Sequence, residues 1–145
     1  MREKVSRRVA FRIISTNIFL FLLLFSLVWI NKNFFRPISR DFSFPTIVTG
    51  SFPNFIAGYL ICLCVVNPVI VRQIKFGRQI VYIASFLIVF ILSFEEFKPL
   101  WGASTQFDWY DIMGSVLGGF FALLTYEILK KKKEKIAYYQ FVKKR

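Results

Sequence analysis

Four of the chain's eight carboxylates, Glu95, Glu96, Asp108 and Asp111, lie within 17 positions of one another, in the stretch FEEFKPLWGASTQFDWYDIMGSVLGG over residues 94–119. Carboxylates brought together repel unless one takes up a proton or a cation joins them. Such a group suits a cation, a lipid ammonium group or the hydroxyls of a sugar. If a metal ion were the occupant, oxygen ligands at a membrane edge would suit Mg²⁺ or Ca²⁺, and the residues do not choose between them. A plainer reading stands beside this one. Asp108 and Asp111 are spaced i, i+3, and Thr105-x-x-Asp108 has the form of a capping box. Both acids would then serve only to start a helix, where free N–H groups and the dipole favour negative charge.

The rest of the chain offers little catalytic equipment. There is no histidine, which removes His-based catalysis and His metal ligands. Ser104 and Thr105 have no base other than the nearby acids to activate them. Cys62-x-Cys64 lies inside an apolar run, where thiols behave as small buried hydrophobes, and the further ligands of a metal site are missing. The expectation is a binding protein rather than an enzyme, without a resident cofactor. The alternatives are a small membrane enzyme acting on lipid headgroups with a divalent cation, or a small transporter subunit. Transport ranks lower, because the first three apolar runs hold no ionisable group at depth. Glu127, near the end of the fourth, reads as a surface pair with Lys130 and Lys131, three and four residues on.

The elements that must position the acids are membrane spans. The chain has 145 residues, is 56% hydrophobic and 19% aromatic, and carries net charge +12; its mean hydropathy is +0.53. Soluble domains average about 45–50% apolar residues. High hydropathy and high basicity coexist because they are segregated. Apolar runs occupy Ile13–Ile30, Phe55–Val71, Ile80–Phe94 and Ile112–Leu129. With small extensions these predict spans at about 13–30, 53–71, 79–97 and 111–129. The third run, of 15 residues, would reach only roughly 22 Å across a core of about 30 Å. It can cross only if its helix continues through Glu95, Glu96 and Phe97, ending near Pro99, or if the bilayer thins. An acid drawn to the hydrocarbon boundary in this way must face the bundle interior or find a partner.

Sixteen of the 20 basic residues fall in the N-terminal 1–12, the 72–79 loop and the 130–145 tail. The positive-inside bias then puts both termini in the cytoplasm and the acidic stretch outside. Trp29, Trp101 and Trp109 fall at the outer interface, as an aromatic belt would. Residues 1–31 read as a retained span, because Trp29-Ile30-Asn31-Lys32-Asn33 offers no small-residue cleavage site. The Phe-rich segment 34–55, with Pro37, Pro45 and Pro53, reads as an outer loop on the interface, with a short re-entrant piece as a variant. Asn67-Pro68 should kink or end the second helix. The fold class is an all-α membrane protein, a single domain of four transmembrane helices.

Gly114-x-x-x-Gly118, followed by Gly119, permits close backbone approach to another span. Packing within the bundle is the default reading, and a homodimer is the other. The tail KKKKEKIAYYQFVKKR anchors topology and can bind anionic lipid. Tyr138, Tyr139 and Phe141 suit an interfacial helix. Nucleic acid is not an expected partner.

Gly50–Leu63 (GSFPNFIAGYLICL), an acid ending the third span, and Phe107–Gly119 (FDWYDIMGSVLGG) together resemble the VanZ-like family of small multi-span bacterial membrane proteins. The matching positions are Glu95, Phe107, Asp108, Asp111 and Gly118, together with the Gly50–Pro53 entry to the second span. The resemblance spans roughly residues 50–129. It implies a multi-pass protein of the bacterial plasma membrane that binds or shields a lipid-linked or cell-wall component, with a link to glycopeptide antibiotic tolerance. Ala57 stands where many members have His, Lys98 where they have Gln, and Ser115 where they have Asn, so a site that uses those polar groups is altered here.

Overall fold

A computed structural model of the chain describes residues 2–39, 43–97 and 108–143, with side chains over 7–38, 47–96 and 108–135. Among the described residues the only regular secondary structure is helix. Helix α1 (Arg2–Ile30) passes through a π-helical turn (Asn31–Phe35) into the short α2 (Arg36–Ser39). Helix α3 (Ser43–Arg72) turns through four residues into α4 (Gly77–Phe97), and α5 spans Trp109–Lys143. Four of these helices are long and apolar enough to cross a membrane: Arg7–Ile38, Ile47–Arg72, Gly77–Glu96 and Trp109–Lys135. The chain is thus an all-helical, multi-pass membrane protein in build. Large apolar side chains such as Phe11, Phe25, Phe86 and Ile91 are exposed, which suits a lipid surround rather than water.

Helix α4 does extend through Glu95, Glu96 and Phe97, as a short apolar run needs in order to cross. The segment 34–55 differs from the expected loop. The first helix carries on to Ser39, and α3 is already helical from Ser43. Pro45 sits in the first turn of α3, where no intrahelical partner awaits its N–H. Helix α3 also continues through Pro68 to Arg72, so Asn67-Pro68 does not end it.

The prolines explain how α1 is held. A proline cannot donate to the carbonyl four residues before it, so Pro53 frees the Thr49 carbonyl and Pro68 frees that of Cys64. Each is taken by an asparagine of the first span. Asn31 Nδ2 donates to Thr49 O at 2.7 Å, and Asn17 Nδ2 donates to Cys64 O at 3.1 Å. Asn67 Nδ2 adds bonds to Asn17 Oδ1 at 2.8 Å and Ile13 O at 3.2 Å. In hydrocarbon, where water cannot satisfy these groups, the match fixes the register of α1 on α3. Leu24 packs with Ile56 and Leu60 between the two clamps.

Helix α3 is the centre of the bundle, touching α1, α4 and α5. It runs antiparallel to α1 and α4 and parallel to α5. At one end Val66, Val69, Val81 and Tyr126 close a buried cluster among α3, α4 and α5. The helix directions gather the basic starts of α1 and α4 and the basic ends of α3 and α5 at that end. Glu127 is held there by Arg78 of α4, Nε to Oε1 at 2.8 Å, and by the Tyr82 hydroxyl at 3.3 Å. Its partner is therefore Arg78, across the helix interface, and not Lys130 or Lys131 along its own helix. Arg78 is 62% exposed, so solvent screens the pair and it contributes little to stability.

Candidate functional site at the acidic end

The opposite end of the bundle collects the starts of α3 and α5 and the end of α4. Glu96, in the last turn of α4, accepts a hydrogen bond from Asn54 Nδ2 of α3 at 3.0 Å. Asp111, in the first turn of α5, lies within electrostatic reach of Glu96, Asp108 and Arg36, with Asn54 beside it. Asp111 Oδ1 is buried and has no hydrogen-bond partner. One helical turn further in, on the same face of α5, Ser115 is 1% exposed and its Oγ is also unpartnered. Ser85 Oγ, three turns down α4 from Glu96, is the other such atom among the described residues. Buried polar atoms are nearly always satisfied, by protein or by ordered water. Where α3, α4 and α5 meet, a carboxylate oxygen and a serine hydroxyl thus lie buried without a hydrogen-bond partner, the carboxylate oxygen as an acceptor and the hydroxyl as either donor or acceptor.

Asp108 has a different task. Its Oδ1 accepts from the Tyr110 N–H at 2.9 Å, which makes it the N-cap of α5; its side chain is exposed. The spacing of the two aspartates thus separates their surroundings, one outward at the cap and one inward. Glu95 is half-buried and makes no hydrogen bond or ion pair among the described residues. Lys98, Pro99, Trp101, Ser104, Thr105 and Phe107 lie outside the described residues, as do the side chains of Tyr138, Tyr139 and Phe141. Trp29 and Trp109 are both exposed at this end. Among the described residues, no group of three or more His, Cys, Asp or Glu is arranged to hold a metal ion. Cys62 and Cys64 are free thiols, Cys62 buried.

Close helix approach brings these elements together. A methyl group on Gly114 would sit 2.8 Å from the Ser51 carbonyl oxygen, and one on Gly58 would sit 2.6 Å from that of Ser115. Gly118 meets the backbone of Phe55 and Tyr59, and Gly119 meets the Val89 side chain of α4. The three glycines of α5 thus face α3 and α4 within one chain. Tyr59 OH and Thr125 Oγ1, 3.2 Å apart, join the same two helices lower down.

Arg36 and Asn54 are the site residues that the sequence reading missed. Arg36 donates to Thr49 O at 3.4 Å and Gly50 O at 3.0 Å, which brings its charge over the start of α3. A signal for Asn54 existed: a polar amide beside a proline, at the entry to an apolar run, needs a partner. Nothing local named Glu96, 42 residues away, as that partner.

A scan against protein-family models finds no match to the chain, and searches of curated proteins and of solved structures find no significant match either.

Proposed function

We propose that this chain is a VanZ-like protein of a bacterial plasma membrane, with both termini in the cytoplasm and the acidic end outside. There it binds or shields a lipid-linked or cell-wall component and so bears on tolerance to glycopeptide antibiotics. The observation that carries this reading is the unpartnered Asp111 Oδ1, buried beside the Asn54–Glu96 pair at the end of the bundle opposite the basic segments. An ammonium or hydroxyl group of a headgroup or sugar supplies the donor that this oxygen lacks. Arg36, at the rim, suits a ligand that also carries a phosphate. The motif resemblance around Asp108 and Asp111 and the charge asymmetry of the termini support the family and the orientation. The reading is of a binding protein, with no bond made or broken at the site.

The test is the double variant Glu96→Gln/Asp111→Asn, produced at wild-type level in a strain lacking the native protein. It is expected to lose whatever tolerance to envelope-targeting antibiotics the wild-type protein confers. Asp108→Asn should keep that tolerance, since asparagine caps a helix as well as aspartate does. Equal tolerance in the wild-type and double-variant strains would count against the acidic site. Reporter fusions after residues 40, 76, 103 and 145 address sidedness independently.

A further inference from the structure

At the basic end, a cleft of about 260 Å³ opens between the end of α3 and α5, lined by Val69, Ile70, Ile74 and Tyr126 on its apolar side. Gln73, Lys130, Lys133 and Glu134 line the polar side. This is far larger than the roughly 30 Å³ that a water occupies in the liquid. The cleft exists because Gln73, at φ 51°, turns the chain out of α3 in a left-handed conformation while α5 runs on past it.

Two lysines are set for an anion. The last four carbonyls of a helix have no intrahelical partner, and Lys133 Nζ takes one of them, Ile70 O, at 2.6 Å. That contact pins the ammonium at the mouth of the cleft and leaves two of its three N–H donors. Lys130 lies one turn earlier on α5. Arg78 holds Glu127, so the carboxylate three residues before Lys130 is already paired across the helix interface. Glu134 is the one acid in the lining, so the lysines outnumber it.

The position of the cleft decides the ligand. It lies where the apolar stretches of α3 and α5 give way to Arg72 and to Lys130–Lys133, the level at which spans of this composition leave the hydrocarbon. Basic clefts between helices at this level suit phospholipid headgroups. We infer that the cleft holds one anionic phospholipid, its phosphate on Lys130 and Lys133 and its first acyl carbons against Val69, Ile70 and Tyr126. This goes beyond a diffuse attraction of the basic tail to the bilayer, and it does not depend on the acidic site at the other end.

The experiment is native mass spectrometry of full-length protein exchanged through mixed micelles of phosphatidylglycerol and phosphatidylcholine. One phosphatidylglycerol should stay bound in preference to phosphatidylcholine. Lys130→Gln/Lys133→Gln should lower its retention by about tenfold or more, at about a fivefold loss per basic residue. Glu134→Gln should raise retention, a gain that misfolding would not produce. Lys143→Gln/Lys144→Gln, in the distal tail, should leave retention unchanged. Retention equal to wild type in the Lys130/Lys133 variant, or an equal loss in the distal-tail variant, would overturn the cleft site. Displacement of the lipid by millimolar inorganic phosphate would overturn the assignment to a phospholipid.

Discussion

Replacing Gly118 by alanine is expected to destabilise the bundle by about 3 kcal/mol or more, at the upper end of the effects of overpacking. The added methyl would run into the Phe55 carbonyl oxygen and lie 2.7 Å from Tyr59 N and 3.1 Å from Gly58 C. All three neighbours are backbone, so no flexible side chain can swing aside; α5 must lift off α3. The same displacement would disturb the packing around Asp111 and Ser115, one to two turns away on the same helix. Gly50→Ala is the internal control. Nothing lies within 4 Å of the position its methyl would take, so the change is neutral or gains up to about 1 kcal/mol through helix propensity. Unfolding in detergent micelles, followed by circular dichroism against temperature or added SDS, would measure both. A Gly118→Ala protein that melts with the wild type would show that α3 and α5 are not in backbone contact.

The second large effect is expected at Asn31, which is 1% exposed and holds the carbonyl that Pro53 frees. Asn31→Leu removes the 2.7 Å donor from the Thr49 oxygen, which the longer Arg36 contact at 3.4 Å does not replace, and should cost about 1–3 kcal/mol. The mechanism makes a sharper claim than the magnitude does. Pro53→Ala restores the backbone N–H that bonds Thr49 O within α3. In the Pro53→Ala background, the same Asn31→Leu change should therefore cost about 1 kcal/mol less. Additive costs in the double-mutant cycle would mean that Asn31 stabilises the bundle only by packing. The Asn17–Cys64–Pro68 set repeats the arrangement 14 to 15 residues further along both helices. There Asn67 Nδ2 also donates to Asn17 Oδ1, so replacing Asn17 by leucine would remove a partner from Asn67 as well and the coupling would extend over three residues.

Both effects arise from contacts that no single segment of the chain announces. What the order of residues determined on its own is the count and character of the elements. Four apolar runs separated by charge clusters can only become helices in a bilayer, because helices alone satisfy every backbone group within one segment. The same local logic brought α4 through Glu95 and Glu96, since a 15-residue run is too short to cross. It also allowed for Asp108 as the start of α5. These inferences draw on forces that act over one to twenty residues: desolvation of side chains, helix rise and free N–H groups at a helix start.

Partner choice belonged to the tertiary structure. Glu127 has basic neighbours three and four residues along its own helix, yet it pairs with Arg78, because α4 packs so closely that the guanidinium reaches it. The prolines of 34–55 suggested a loop. The structure keeps most of that segment helical, because α1 supplies a donor for the carbonyl that Pro53 releases. Two aspartates three residues apart were equivalent in the sequence; packing turned Asp111 inward and left Asp108 at the exposed cap. The cleft at the basic end likewise needed Gln73, Tyr126 and Lys133 brought together from two helices. Each of these outcomes depends on distances between segments far apart in the chain, and those distances are set by where glycines allow backbones to touch.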